Sequence, residues 1–244
     1  MISIIIPTLN EQEYLPKLLD SIKSQDFSDY EIIVADAGSV DKTIEIAKNY
    51  GCIIVKGGLP AKARNSGAQI AKGDILLFLD SDSILSSYDF LSNSLDEFRK
   101  KNLGIAIFRL SPISRKIFDK ISYWIWNRWI ILVKNFFPHG AGAFLVKKSL
   151  HQSTGGFNES ITFAEDQAYV ATLSKNAKFD VIKKNPALIS VRRFDKDGRI
   201  KTCIKYILAD FHILFFGPVK SDIFKYKFGH YKNGNPKSKI PNPK

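Results

Sequence analysis

The chain has 244 residues, of which 45% are hydrophobic and 25% charged, so it has the composition of a folded globular protein with a substantial core. Its two cysteines, Cys52 and Cys203, cannot form a disulfide framework and lack metal-ligand spacing with histidine, which favours a reducing compartment. No uncharged apolar run approaches the roughly 20 residues that span a bilayer, and no leader sequence precedes the first predicted strand. We therefore expect a cytoplasmic protein, with peripheral contact to the cytoplasmic membrane face as an alternative.

The net charge of +12 is unevenly distributed along the chain. Between Gly217 and the C-terminus, seven lysines face one aspartate, so this tail carries half of the excess. Basic tails of this kind bind nucleic acid, anionic lipid head groups or nothing specific.

The first 82 residues alternate between strand and helix patterns. Short apolar runs predict strands of a buried parallel sheet at residues 3–7, where Pro7 is expected to end the strand, and at 31–36, 52–55 and 75–79. Apolar residues with helical spacing lie between them at 15–22, 43–47 and 61–71. This order predicts right-handed βαβ units, and therefore an α/β fold with a mostly parallel central sheet flanked by helices.

Polar residues stand at or just after the ends of these strands. They are Pro7–Glu11, Asp36, Arg64, Asp80 and Asp82. Because ligands of open α/β sheets bind beyond the carboxyl ends of the strands, we expect this set to meet along one edge. There is no G-x-G-x-x-G after the first strand and no P-loop, so dinucleotide and ATPase versions of the fold lose support.

Asp80-Ser81-Asp82 places two carboxylates one residue apart after the strand 75–79. Both can turn toward one hard divalent cation, and Mg²⁺ typically takes one or two protein carboxylates and completes its shell with water and phosphate oxygens. The alternative for such a short pattern is an Asx turn leading into a solvated loop.

As an ordered set, these motifs resemble family 2 glycosyltransferases of the GT-A fold over roughly residues 1–195. The matching segments are Ser3–Glu11, Asp36–Thr43, Arg64–Gly67, Asp80–Asp82, and Gly155–Glu159 followed by Glu165-Asp166. The resemblance implies an inverting, metal-dependent transfer of a sugar from a nucleotide-diphosphate donor to an acceptor, with Mg²⁺ or Mn²⁺ as cofactor. The absence of Gln-x-x-Arg-Trp, the signature of processive synthases in this family, favours a single-transfer enzyme.

The resemblance also implies a role for each motif residue. For the nucleotide-sugar it implies Pro7, Thr8, Glu11, Asp36, Gly38, Arg64, Asn65, Asp80 and Ser81, with Asp36 accepting a hydrogen bond from the base and Arg64 gripping phosphate oxygens. For the metal it implies Asp80 and Asp82. For catalysis it implies Asp166 as the base that deprotonates the acceptor, with Glu165 beside it. On the acceptor side we place Gly142, Gly156, Arg192 and Arg193.

Residues 1–104 are expected to form the nucleotide-sugar-binding half of one domain, and 105–199 the acceptor-binding half. The segment 113–137 within it is rich in tryptophan, with Lys120, Asn127 and Lys134 recurring every seven residues. It predicts a helix with a narrow polar stripe and a broad apolar face, which would lie on a membrane, against the sheet or in a dimer interface. His139 is a weak candidate metal ligand, since a lone histidine is usually structural.

Residues 191–199 are predicted to form a basic loop, and 200–244 a further helix followed by the basic tail. The acceptor is expected to be a glycan or a lipid-linked molecule, and no nucleic-acid partner is expected. A nucleotidyltransferase would need a Gly-rich phosphate loop near the N-terminus, which Pro7–Glu11 is not. The alternative from another class is a basic membrane- or nucleic-acid-binding module on a non-catalytic scaffold of the same fold.

Overall fold

The computed structural model describes residues 1–140, 142–161 and 163–219; most of the predicted basic tail lies outside the described residues. The strands are β1 Ile2–Thr8, β2 Tyr30–Asp36, β3 Ile53–Lys56, β4 Ile75–Leu79, β5 Ser83–Leu85, β6 Ile105–Ile113, β7 Ala143–Lys147 and β8 Phe179–Ser190. The helices are α1 Leu15–Lys23, α2 Thr43–Asn49, α3 Pro60–Ile70, α4 Phe90–Lys100, α5 Ile117–Val133, α6 Lys148–Ser153, α7 Glu165–Ser174, α8 Arg192–Asp197 and α9 Arg199–Phe216.

These strands form one mixed sheet in the order β3-β2-β1-β4-β7-β6-β8-β5. The half made by the first four strands of that order is parallel, as the sequence predicts. The other half is mixed, because β7 runs antiparallel to both β4 and β6, and β5 runs antiparallel to β8. The predicted α/β fold with a helix-flanked sheet is confirmed, and the antiparallel β7 brings the start of that strand beside the end of β4.

Strand β1 lies in the middle of the parallel half and has no exposed surface at Ile2, Ile4, Ile5 or Ile6. Its alternate side chains enter two separate cores, one on each face of the sheet. The strand continues through Pro7 to Thr8, whereas a proline was expected to end it. Proline is tolerated there because the pairing with β4 has already ended at Ile5 opposite Phe78, so no ladder bond needs its missing N–H.

Strands β5, β6 and β8 are not predicted from the sequence. Strand β8 contains two lysines, an asparagine and Pro186, which are poor strand formers. The register between β6 and β8 jumps from Phe108–Ile182 to Leu110–Ala187, so residues 183–186 bulge out of the ladder. Proline is common at such bulges, and this one lets a long strand with a polar middle remain paired at both ends.

Two residues of the predicted polar stripe of α5, Asn127 and Lys134, contact the rest of the domain, whereas the third, Lys120, is exposed. Asn127 accepts from the backbone N–H of Leu110 at 2.9 Å and donates to its carbonyl at 2.7 Å. Lys134 pairs with Asp180 on β8. Trp124 and Trp129 remain 60% and 47% exposed, so the apolar face of this helix looks outward and is not simply core.

The prediction of a loop at residues 191–199 is wrong, because residues 192–197 form helix α8. Phe194 is buried and packs against Tyr123 of α5 with ring centroids 6.0 Å apart, which gives this short basic segment an apolar anchor. The helix predicted after residue 200 is confirmed as α9. Within the described residues, none of the helices is both long and apolar enough to cross a bilayer.

Asp180 should contribute to stability as the anchor that joins β8 to α5 and to the end of α4. Burial alone would raise its pKa, but hydrogen bonds from Lys101 and Lys134 outweigh burial and lower the pKa to about 2. We expect Asp180→Asn to lower the free energy of unfolding by about 1 kcal/mol at neutral pH, a value reduced for partial solvent screening.

The pH dependence of that loss follows from the direction of the shift. Because the folded-state pKa lies below the ordinary value of about 4, the contribution is complete above pH 4 and disappears as the pH falls toward 2. Urea unfolding at several pH values measures it, with the exposed Asp74→Asn as the matched control. An Asp180→Asn deficit that persisted unchanged at pH 2 would contradict this assignment.

Candidate active site

A cleft of about 1080 Å³ opens at the edge of the sheet where β1 and β4 end. Its polar end collects the segments that the sequence singles out: the end of β1, the first turns of α3, the acids after β4 and the start of α7. These residues are Pro7, Thr8, Glu11, Arg64, Asp80, Ser81, Asp82, Glu165 and Asp166. The residues that follow β1 and β4 and those that begin α3 meet because parallel strands deliver their carboxyl ends to one edge, as expected. The start of α7 is joined to them by the ion pair between Glu165 and Arg64.

Arg64 is the centre of this polar end and is only 3% exposed. Its Nη1 donates to Glu165 at 2.5 Å, and its Nη2 donates to Asp80 at 2.8 Å. The guanidinium also lies over the rings of Phe144 and Phe157, 5.9 and 5.5 Å from their centroids. One cation therefore joins α3, the end of β4 and the start of α7, and it is engaged by carboxylates on both sides.

A second guanidinium, that of Arg192, joins Glu11 to Asp82. It binds the Glu11 carboxylate through two nitrogens at 2.7 and 2.8 Å, and its Nε lies 2.8 Å from Asp82 Oδ2. It also lies 4.4 Å from the centroid of the Tyr14 ring. Sequence analysis places Arg192 on the acceptor side; in the structure its guanidinium contacts the Glu11 and Asp82 side of the cleft, while Arg193 also lines the cleft.

Carboxylates outnumber cations around these two arginines. Five acids surround Arg64 and Arg192, namely Glu11, Asp80, Asp82, Glu165 and Asp166. Burial raises the pKa of Glu11, Asp80 and Glu165, and it raises the pKa of Asp82 to about 6 although Arg192 acts in the opposite direction. The site thus holds an excess of negative charge that a further cation would relieve.

The residues after β4 fit a divalent cation that completes its shell from outside the protein. Asp80 engages Arg64 through Oδ1, and Asp82 engages Arg192 through Oδ2, so each carboxylate retains an oxygen outside those contacts. In the described parts of the chain, no three His, Cys, Asp or Glu side chains converge as a ready-made metal cage. Mg²⁺ commonly uses only one or two protein carboxylates together with water and phosphate, so this donor set suits it.

Asp166 stands in the first turn of α7, across the cleft from the acids after β4. Its Oδ2 lies 3.4 Å from the backbone N–H of Gly142, the residue whose carbonyl accepts from the N–H of Asp80 at 3.0 Å. A Cβ on Gly142 would come within 2.7 Å of Asp80 Oδ2, and a Cβ on Gly140 within 2.4 Å of the Asp166 backbone. The two glycines allow the start of β7 to fit between both acids.

Ala164 turns the chain into α7 in an unusual conformation. Its φ of 55° and ψ of 40° are left-handed, which costs an alanine about 1 kcal/mol or more. The next residue, Glu165, is buried against Arg64. The strained turn therefore directs Glu165 and Asp166 inward. The sequence does not reveal this turn, because a left-handed residue is usually glycine or asparagine and here it is alanine.

Asp36 organises the turn after β2. Its Oδ1 accepts from the N–H groups of Gly38 and Ser39 at 2.9 and 2.8 Å, and its Oδ2 accepts from the hydroxyls of Thr8 and Ser39 at 2.9 and 2.5 Å. A carboxylate has about four acceptor positions, and all four are used. An N–H from a nucleotide base would have to displace one of these donors, and the Ser39 hydroxyl is the easiest because it can rotate.

The same turn is tied to the loop between β1 and α1. Asn10 donates its backbone N–H to Ser39 and accepts from the N–H of Val40, while Glu11 donates its N–H to Thr43. Residues 36–43 therefore hold the backbone of residues 8–11 in place through these hydrogen bonds. This bracing explains why polar residues recur in both loops of the sequence.

The side chain of Asn65 binds the turn formed by Gly155, Gly156 and Phe157 and does not point into the open part of the cleft. Its side chain accepts from the N–H of Phe157 at 2.8 Å and donates to the Phe157 carbonyl at 2.9 Å and to Glu159 at 3.0 Å. Gly156 packs against it, since an added Cβ would meet Asn65 Oδ1 at 2.6 Å. The predicted donor-side Asn65 and acceptor-side Gly156 are thus in contact with each other.

His139 is fully buried, and both of its ring nitrogens contact protein atoms. Its Nδ1 lies 3.1 Å from the Phe137 carbonyl, and its Nε2 lies 3.2 Å from Asp210 on α9. Asp210 also accepts from the side chain of Gln167, the neighbour of Asp166, at 2.8 Å. This cluster connects α9 to the start of α7, a link between distant segments that the sequence does not reveal.

The opposite end of the cleft is apolar. Helices α5 and α9 contribute most of its wall, and their lining residues include Phe118, Ile121, Trp129, Phe211 and Leu214. The cleft therefore changes from a charged end at the sheet edge to a hydrocarbon-like end between two helices.

Breaking the Arg64 bridge should destabilise the protein strongly. Arg64→Met leaves Asp80 and Glu165 without their cation, and removal of one partner from a buried ion pair costs about 3–5 kcal/mol. Adding Glu165→Met should recover part of that loss, because one of the two orphaned charges is then gone. Urea unfolding measures both, with the exposed Arg99→Met expected to change stability by less than about 0.5 kcal/mol. Equal stability of Arg64→Met and wild type would contradict the role of Arg64.

Comparison with solved structures identifies neighbours of the same fold. The Staphylococcus aureus TarS structure in complex with UDP-GlcNAc superposes with a TM-score of 0.65 at 20% identity, covering 86% of this chain and 66% of that chain. Glucosyl-3-phosphoglycerate synthase from Mycobacterium tuberculosis, in complex with Mn²⁺, UDP-glucose and phosphoglyceric acid, gives a TM-score of 0.57 at 18% identity, covering 86% and 79%. Both likenesses show the fold.

Sequence comparison adds the family. The poly(ribitol-phosphate) beta-glucosyltransferase of Bacillus spizizenii is 31% identical over 191 residues, which are 72% of this chain and 30% of that protein. The chain therefore spans about a third of the length of this curated relative. Residues 3–158, more than half of the chain, match the family described as Glycosyl transferase family 2. The chain belongs to glycosyl transferase family 2.

Proposed function

We propose that the protein is a metal-dependent, inverting glycosyltransferase that moves one sugar from a nucleotide-diphosphate donor to an acceptor. The observation that carries this proposal is the convergence of Asp80, Asp82 and Asp166 in one cleft, where Arg64 binds Asp80 and Arg192 binds Asp82. Family membership supports the class of reaction.

The donor is proposed to lie at the polar end of the cleft. Pro7, Thr8 and Glu11 line the part nearest β1, where a nucleoside would stand, and Gly58–Pro60 line it from the side of α3. The two neighbour structures described above contain UDP-sugars and, in one case, Mn²⁺, which supports a nucleotide-diphosphate sugar and a divalent cation here. Asp36 and Gly38 would act on the nucleoside mainly by holding Thr8 in place.

Asp80 and Asp82 are proposed to hold Mg²⁺ or Mn²⁺. When bound, the cation would supply Lewis-acid chemistry by offsetting the charge of the departing nucleotide diphosphate. Arg64 holds Asp80 in place and lowers its pKa against the larger effect of burial, and Ser81 is buried between the two acids. Arg192 sits on Asp82 and would be shared between that carboxylate, Glu11 and the incoming diphosphate.

Asp166 is proposed as the base. It accepts the proton of the acceptor hydroxyl while the acceptor oxygen forms its bond to the anomeric carbon and the bond from that carbon to the diphosphate oxygen breaks. Attack from the face opposite the leaving group inverts the configuration. Glu165 is bound to Arg64 and therefore positions the start of α7, which leaves Asp166 as the acid nearest the opening at Gly142. An ionised phosphate acceptor would need no such base.

The acceptor is proposed to be lipid-linked in preference to a free glycan. A free glycan would need polar partners along its path, whereas the wall beyond Asp166 is made of isoleucine, leucine, phenylalanine and tryptophan side chains. Gly140 and Gly142 leave backbone accessible between this wall and the acids. The protein would then work at the cytoplasmic face of a membrane.

The domain halves expected from the sequence follow the same division. We propose that residues 1–104 bind the donor and that 105–199 bind the acceptor, together with the α9 part of 200–244. A non-catalytic scaffold that binds membrane or nucleic acid through its basic surface is the competing function. It offers no reason for five carboxylates to meet at two arginines, and it predicts salt-sensitive binding without turnover.

Two substitutions should separate donor binding from transfer. Asp82→Asn should abolish the metal-dependent part of nucleotide binding, because it removes a carboxylate from the cation site. Asp166→Asn should leave that binding intact and lower kcat by about 10²–10⁴-fold, because the base is lost. Calorimetric titration with UDP, and release of UDP from a UDP-sugar, measure the two properties.

The exposed Asp74→Asn is the control for both measurements and should match wild type. If Asp166→Asn kept the normal turnover while Asp82→Asn failed, the metal site would stand and the base assignment would be wrong. If neither variant changed nucleotide binding or turnover, the cleft would not be the active site.

A further inference from the structure

Helices α5 and α9 place Asp119, Asn127 and Asp210 toward the rest of the domain and expose most of their large apolar side chains. Of the 22 exposed large hydrophobic side chains in the described residues, 15 lie on these two helices. They include Leu132 at 74%, Phe215 at 70% and Trp124 at 60%, and Phe136, just beyond α5, is 90% exposed. An ordinary surface helix shows the opposite arrangement, so this face is built to be covered.

The inward polar residues show that this orientation is fixed. Asn127 is bonded to both backbone groups of Leu110 on β6. Asp119 is fully buried and is bound by two nitrogens of Arg199, at 2.7 and 3.1 Å, which joins α5 to α9. Asp210 is held by His139 and Gln167. Rotating either helix to hide its apolar side would break these buried polar contacts.

The charges exposed around this face are predominantly basic, and the one exposed acid beside it in the described residues, Asp195, is paired with Lys116 and Arg199. Arg115, Lys116, Lys120 and Arg128 are exposed on and beside α5, and Lys201 is exposed on α9. The two acids within these helices, Asp119 and Asp210, are the ones engaged in the inward contacts just described. The face therefore combines tryptophan and aliphatic side chains with a positive rim, which complements the head groups and acyl boundary of an anionic bilayer.

We propose that α5 and α9 together form a docking face for an anionic lipid bilayer. A second copy of the chain fits less well, because a two-fold interface would bring the same basic rims of both copies together. An anionic bilayer neutralises them. The sequence after α9 adds seven lysines against one aspartate, a charge of the same sign.

Docking would place the mouth of the cleft at the lipid surface. Phe118, Ile121, Trp129, Phe211 and Leu214 line the cleft and are also among the exposed residues of the face. The apolar wall is thus continuous from the docking face to the acids, and a lipid-borne acceptor could reach Asp166 without its chain crossing water. This use of the cleft rests on the proposed function, whereas the docking face does not depend on activity.

Vesicle flotation of the full chain tests the docking face. We expect binding to vesicles that contain phosphatidylglycerol and much weaker binding to phosphatidylcholine alone. Trp124→Ser with Leu208→Ser should reduce the partition constant about tenfold or more, since two side chains no longer enter the apolar boundary. Both residues are outside the cleft lining, so nucleotide binding without vesicles should be unchanged. Tyr88→Ser with Ile70→Ser, exposed residues elsewhere, is the matched control.

Charge reversal tests the rim separately. Lys120→Glu with Lys201→Glu should lower binding to the anionic vesicles at least about twentyfold, because each cation near such a surface contributes about 1 kcal/mol, a factor of about five. Lys48→Glu with Lys100→Glu, exposed on α2 and α4, makes the same change of net charge and should lower it far less.

Three results would overturn the proposal. The first is a full chain that binds neither kind of vesicle, and the second is equal loss with the control and test pairs. The third is light scattering that shows a dimer which only Trp124→Ser with Leu208→Ser dissociates, because a second copy would then cover the face. Failure of vesicle binding with intact metal-dependent UDP binding would leave the proposed glycosyltransferase standing, and the reverse result would leave the docking face standing.

Discussion

The buried guanidinium of Arg64 is the interaction on which the candidate site depends. A permanent cation with 3% exposure can exist in a protein core only if anions accompany it, and here they come from the end of β4 and the start of α7. The guanidinium of Arg64 therefore joins the N-terminal half of the chain to the C-terminal half. The same contact holds the carboxylates of Asp80 and Glu165 in place. Asp80 is separated from Asp82 by one residue, and Glu165 directly precedes Asp166. Any movement of α3 relative to α7 would disturb both candidate functions of the cleft, cation binding and proton removal.

The surplus of carboxylates gives the site its chemical character. Arg64 and Arg192 together engage Asp80, Glu165, Glu11 and Asp82, and burial still leaves the pKa of these acids raised. A site of this kind is incomplete as a protein structure alone and favours a ligand that brings positive charge with it. A divalent cation carrying a nucleotide diphosphate would meet that requirement, since the cation would offset the charge of the acids and the phosphates would approach Arg192.

The first half of the fold follows closely from the sequence, and the second half does not. Runs such as Ile4–Ile6 and Ile75–Leu79 are buried on both sides, so their continuous apolar pattern predicts parallel strands directly. Strand β8 contains lysines and Pro186, so its residue types do not favour a strand, and its pairing with the neighbouring strands stabilises it. The polar stripe of α5 suggests an outward face by ordinary rules, but Asn127 and Lys134 point to backbone and carboxylate partners far away in sequence. Most of the site residues could be found as a motif set. The contact between Arg192 and Glu11, 181 positions apart, could not.

The central claim is that this cleft binds a nucleotide diphosphate through a divalent cation. Calorimetric titration of the purified chain with UDP, GDP and dTDP, each with and without Mn²⁺ or Mg²⁺, tests it most directly. The account predicts that one nucleotide binds and that its affinity depends on the metal, which would also identify the base of the donor. Absence of binding by all three nucleotides at any metal concentration, in a protein that is folded, would contradict it.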